Sequence, residues 1–157
     1  MPYSPTPSDI IGRIRELIVL LLSARYSPFV KKSRALYWTA DKSARAAITI
    51  SKEYKKGDFW YAYHENWDEF LSEGTVSLFV LGCVGRTEAF AIPFEWIHRR
   101  VERLNVTEGE GGNHFHIHLY PDEIGELSLR LKNGENESIQ KFKMQLTQQA
   151  PLHSLAI

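Results

Sequence analysis

The chain holds one cysteine, Cys83, in 157 residues. A lone cysteine closes no internal disulfide, so the fold must stand on its core, and the sequence reads as one from a reducing compartment. Long apolar runs are also missing. The longest, residues 17–22 (LIVLLL), has six residues, where a spanning helix needs roughly 20. The opening MPYSPTPSD is polar and carries three prolines, without a basic-then-apolar leader pattern. These absences point to the cytoplasm and away from a membrane. Net charge is lacking too, because nineteen Lys and Arg balance nineteen Asp and Glu. A uniformly neutral surface would exclude electrostatic capture of nucleic acid. The chain has no G-x-x-x-x-G-K-[ST], no G-x-G-x-x-G before a helix, no C-x-x-C, no H-E-x-x-H and no G-x-S-x-G. As far as motifs reach, that excludes the common nucleotide, zinc-protease and esterase chemistries.

What is present suits one globular domain: 43% hydrophobic, 12% aromatic and 24% charged residues. The zero charge is an average. Residues 1–56 carry eleven Lys and Arg against four Asp and Glu, a surplus of seven, and the remainder carries the matching deficit. That division returns DNA to the candidate partners. It fits equally a head-to-tail assembly in which basic and acidic faces meet.

The periodicity predicts an α+β order, α-β-β-β-α-β-β-α-β-β, in one layered domain over residues 9–147. A lead at 1–8 and a polar tail at 148–157 flank it. Ile10, Ile14, Leu17, Ile18 and Leu21 recur at helical spacing behind a cap at Ser8 or Asp9, and the apolar second half of that helix should be buried. From residue 35 the period becomes two. Strands are expected at 35–40, 44–51, 59–64, 76–83 and 89–92, and again at 114–120 and 126–132. Helices are expected at 65–73 and 94–104. The sheet should be mostly antiparallel or mixed.

Glu16 on the first helix, Asp41 after the first strand and Lys52 after the second are residue types that hold a divalent ion and steady charge at a phosphodiester. Each also has a plain reading: a helix-surface charge, hairpin-turn chemistry and a strand-end cation. With Asp41 followed nine residues later by Ile50-Ser51-Lys52, residues 9–104 resemble the restriction-endonuclease-like superfamily. That superfamily places a strand-end Asp, often after Pro, before an acid-x-Lys triplet. Here Ala40 precedes Asp41 and Ile50 stands where the acid would be. The resemblance implies a DNA-associated domain, either a Mg²⁺-dependent phosphodiesterase or a catalytically altered relative. Glu16 and Asp41 would hold the metal, Lys52 would complete catalysis, and the chain would form an oligomer. Phosphate would be met by Lys31, Lys32, Arg34, Lys42, Arg45, Lys55 and Lys56. The stretch 59–97 also looks like uncharacterised bacterial proteins.

His114-Phe-His116-Ile-His118 places three imidazoles on one strand face. Neighbours two apart stand about 7 Å from one another, so His114 and His116 can share a Zn²⁺ if a ligand comes from elsewhere. The same alternation describes the polar side of an edge strand. Trp60 and His64 share a face opposite Phe59, Tyr61 and Tyr63. His64 can cap the helix at 65 or act as an acid–base group beside Asp68 and Glu69. Cys83, in an apolar run, reads as a buried inert thiol. Three functional classes remain open: a DNA-associated nuclease-like domain, a non-enzymatic module binding protein or nucleic acid, and a zinc hydrolase on the His-x-His strand.

Overall fold

The computed structural model describes residues 7–146; the expected tail at 148–157 and all but the last two residues of the expected lead lie outside them. The architecture is α+β, with three helices and eleven strands among the described residues, the strands divided between two sheets. Helix α1 (Pro7–Arg25) precedes β1 (Phe29–Lys31), β2 (Leu36–Thr39) and β3 (Ala44–Ser51). Then come β4 (Phe59–His64), α2 (Glu65–Ser72), β5 (Val76–Cys83), β6 (Glu88–Pro93) and α3 (Phe94–His98). The short β7 (Val106–Thr107) leads to β8 (His114–Pro121), β9 (Leu127–Arg130), β10 (Asn136–Ser138) and β11 (Lys143–Gln145).

The first sheet runs β1-β2-β3-β5-β6-β11, antiparallel throughout except that β3 lies parallel to β5. The second runs β10-β9-β8-β4, all antiparallel, with β7 also pairing β8. Between β3 and β5 the chain leaves the first sheet to form β4 and α2, the kind of long crossover that parallel strands require.

Three layers result. α1 lies on one face of the first sheet, burying Ile18 and Leu22 against Tyr37, Ala46, Ile48 and Val80. The other face meets the second sheet, α2 and α3 through Phe59, Tyr61, Tyr63, Phe70, Phe79, Ile97, Ile117 and Leu119. β5 is covered on both sides, which is why its sequence is apolar without alternation. α1 approaches closely at Gly82, where an added Cβ would stand 2.6 Å from Ile50 and 3.1 Å from Ile14. The β4 alternation places Phe59, Tyr61 and Tyr63 inward.

Several expectations are corrected. Ser8 and Asp9 lie within α1 rather than ahead of it. The second half of α1 is not wholly buried: Leu20 is 58% exposed, because only one side of the helix meets the sheet. The helix expected over 94–104 stops at His98 and continues as a 3₁₀ turn at Val101–Arg103. Arg100 there donates to the Trp96 carbonyl and to Glu137 of β10, and Leu104 enters the core. That tertiary anchor overrides local helix propensity. β8 is an interior strand rather than an edge.

No helix of the described residues is long and apolar enough to cross a membrane.

Candidate functional site

The densest meeting of cations and rings among the described residues lies where the β2–β3 hairpin faces α2. Leu36 and Trp38 share the β2 face that points toward α2. Leu36 is buried in the core, while Trp38 is half-buried beside Phe70 with ring centroids 5.5 Å apart. Three cations converge on these rings. Lys32 Nζ lies 5.5 Å from the Trp38 centroid and 5.8 Å from that of Phe70, and Lys42 Nζ lies 4.9 Å from Trp38. The Arg45 guanidinium lies 5.1 Å from Trp38 and 4.7 Å from Phe70. With Asn66 and Glu69 of α2 and Glu73 just beyond its end opposite, these groups line an open groove of about 570 Å³.

The cations play different parts. Arg45 is buried, donating from Nε to the Lys42 carbonyl (3.0 Å) and from Nη1 to the Phe70 carbonyl in the last turn of α2 (3.1 Å). A cation there also meets the negative end of the helix. Arg45, expected as a phosphate contact, therefore fixes the ring pair to the hairpin and, at 8% exposure, presents little of its guanidinium to solvent. Lys32 and Lys42 are exposed, as is Arg34 in the connection between β1 and β2. Lys42 adopts φ +65°, a left-handed conformation that costs an L-residue roughly 1–2 kcal/mol.

Asp41 shapes this turn. Its carboxylate accepts from Thr39 Oγ1 (2.8 Å), the Ser43 backbone N–H (3.0 Å) and Ser43 Oγ (2.8 Å). Those bonds, the Ser43 N–H first, hold its pKa below the usual carboxylate value. Asp41 and Lys52 flank opposite ends of the eight-residue β3, a strand roughly 26 Å long at about 3.3 Å per residue. Lys52 lies near Tyr54, with Nζ 5.2 Å from the ring centroid. Glu16 lies on the far side of the first sheet, in a shallow depression shared with Arg15, Lys31 and Tyr37. Glu16, Asp41 and Lys52 thus occupy three separate places, and no one ion or phosphate can touch all three. Lys31 faces the α1 side while Lys32 faces the groove. Lys55 and Lys56 sit in a 3₁₀ turn beyond the other end of β3.

The outer face of the second sheet carries the imidazoles. Trp60 and His64 of β4 stand beside His114, His116 and His118 of β8, all half-buried. Register places His64 opposite His114, Ala62 opposite His116 and Trp60 opposite His118. The Trp60 centroid is 6.5, 5.6 and 6.3 Å from those of His114, His116 and His118. The His64–His114 and His114–His116 centroids are 5.6 and 5.5 Å apart. Thr107 Oγ1 lies 2.7 Å from His116 Nε2. Desolvation, followed by the neighbouring His114, lowers the pKa of His64. Desolvation and His116 do the same at His118.

His64 occupies the N-cap position of α2 but makes no side-chain capping bond. It packs on Trp67 at 4.6 Å instead. Asp68 pairs with His98 (2.9 Å) rather than His64, and accepts from Tyr63 (2.8 Å). No group of three or more His, Cys, Asp or Glu among the described residues stands at metal-ligand distance in these rotamers. Cys83 is fully buried, and burial pushes its thiol up to about 11, as an inert thiol requires. The contribution of His64 was not legible in the sequence, because it depends on the β4–β8 register.

Comparison with protein-family models, with curated proteins and with solved structures finds no match to the chain.

Proposed function

We propose that this chain is a nucleic-acid-binding module whose contact surface is the Trp38 groove. One observation carries the reading: Lys32, Lys42 and Arg45, from separate segments, converge on Trp38 and Phe70. Cations beside an accessible ring suit a polymer of alternating phosphates and bases, with stacking on the ring and charge neutralisation at its rim. In this reading Lys32, Lys42 and Arg34 meet phosphates, Trp38 offers its half-exposed face to a base, and Arg45 positions the rings. Asn66 and Glu69 of the opposite wall accept from the exocyclic amines of that base. DNA is the first candidate, given the basic surplus of residues 1–56. The separation of Glu16, Asp41 and Lys52 favours binding without cleavage by those residues.

The test is fluorescence anisotropy with labelled single-stranded and duplex DNA and RNA. Three phosphate contacts imply a fall in affinity of roughly 20-fold for a single strand between 50 and 200 mM salt. The double variant Lys32→Gln/Lys42→Gln should lose most of this binding, and Lys55→Gln/Lys56→Gln should keep it. Absence of binding to every form at low salt, or equal losses in the two variants, overturns the reading.

A further inference from the structure

We propose that His64, His114 and His116 bind one transition-metal ion of the imidazole-preferring class, zinc first. His114 and His116 are two apart on β8 and so share its outer face, and His64 is the residue directly opposite His114 on β4. Directly opposed residues have Cβ atoms about 4.5–5.5 Å apart. The backbone therefore presents three imidazoles at the corners of a small triangle.

Ring positions agree with that frame. Two imidazoles on a tetrahedral zinc, at about 2.0–2.1 Å from metal to nitrogen, have centroids about 5 Å apart. His64–His114 and His114–His116 stand at 5.6 and 5.5 Å. What differs is ring orientation. His114 and His116 are stacked at 16°, so their planes do not meet at a common point, and no three groups are at ligand distance as they stand. A shared ion therefore requires the His64 and His114 rings to turn about their side-chain bonds toward His116, whose ring Thr107 holds.

The surroundings suit such a site. The bond between His116 Nε2 and Thr107 Oγ1 leaves Nδ1 as the ligand atom and holds the ring, as outer-shell partners of metal-bound histidines do. Ala62, opposite His116, is small, and the Trp60 ring borders the three imidazoles there, 5.6 Å from His116 between centroids. Imidazole nitrogens favour zinc, copper and nickel over magnesium or calcium. Three protein ligands leave a fourth position for water. His118, four residues from His114, lies about 13 Å from it along the strand and takes no part.

The experiment is a zinc titration of the untagged full chain, by calorimetry and by NMR of the imidazole nitrogens. One zinc per chain is expected, with shifts at His64, His114 and His116 and none at His118. His64→Ala should weaken binding by more than about tenfold, since even losing an outer-shell partner costs 10–100-fold. His118→Ala should leave it within about twofold, with both variants folded by circular dichroism. Absence of saturable binding, a stoichiometry other than one, or equal weakening by the two variants overturns the proposal.

Discussion

Lys42 offers a separation of binding from folding, because its backbone is strained where its side chain is exposed. In the left-handed conformation at φ +65°, an L-residue costs roughly 1–2 kcal/mol. Glycine relieves that cost but loses roughly 0.5–1 kcal/mol more backbone entropy on folding. Lys42→Gly also forfeits the contact of Nζ with Trp38 at 4.9 Å, worth about 0.5–1 kcal/mol at an exposed position. These contributions nearly cancel, so Lys42→Gly should stay within about 1 kcal/mol of the parent, or about 2–4 °C in Tm. Lys42→Ala loses the same contact and keeps most of the strain. It should be less stable than Lys42→Gly by about 0.5–1 kcal/mol.

Binding should not follow that order. Either variant removes one of three phosphate contacts. The slope of log K against log salt for a single strand should therefore drop from about −2 to about −1.4. Affinity at 0.1 M salt should fall about fivefold, the same for both. Thermal melts and anisotropy titrations at four salt concentrations give all four quantities. An unchanged salt slope in both variants would show that Lys42 meets no phosphate. A Lys42→Gly protein much less stable than the alanine variant would refute the strain argument.

Two further outcomes check the fold. Gly82→Ala should cost more than about 2 kcal/mol in denaturant unfolding, because its Cβ would stand 2.6 Å from Ile50 beneath α1 and overpacking a tight core forces backbone shifts; a variant as stable as the parent would show that α1 does not seat on Gly82. Cys83, with its thiol raised from 9.0 to about 11 by burial, should resist iodoacetamide in the native protein at pH 8 and react on unfolding. Its folded pKa lies above the unfolded one, so the associated stability is fully present below pH 9 and declines as pH rises toward 11; native labelling as fast as that of the unfolded chain would place the thiol at the surface.

The parts of the fold legible in the sequence are those where one local rule acts alone. β4 alternates, so Phe59, Tyr61 and Tyr63 could be set on one face and Trp60 and His64 on the other from spacing alone; the partners across the core turn the first set inward. β5 is without polar residues from Leu78 to Cys83 and is covered on both faces there, as a run without alternation implies. The short strands β1, β7, β10 and β11 have two or three residues each, too few for any period to emerge. The division into two sheets was hidden for another reason. Whether β4 follows β3 in the same sheet or crosses to another is decided by which partners bury Phe59 and Tyr63, and those partners, Ile117 and Phe79 among them, come later in the chain.

Candidate sites depend on such non-local pairings more than elements do. Asp41 and Lys52 are eleven residues apart in sequence, close enough to look like a pair, yet an extended strand between them keeps them at its two ends. His64 and His114 are fifty residues apart and directly opposed. Lys31 and Lys32 are adjacent, yet pleating sends one toward α1 and the other toward Trp38. The positive surplus of residues 1–56 is therefore divided among the α1 side, the groove and the far end of β3. A segment's charge sets a local potential, but a site needs a frame that holds several charges at one place. Here the frame is an uncommon buried cation: Arg45, bonded to the carbonyls of Lys42 and Phe70, ties the hairpin turn to the end of α2 and sets Trp38 between them. Replacing Arg45 by an apolar residue would leave those carbonyls without their donors and separate the two walls. The groove thus depends on Arg45 for its shape, and on Lys32 and Lys42 for its charge.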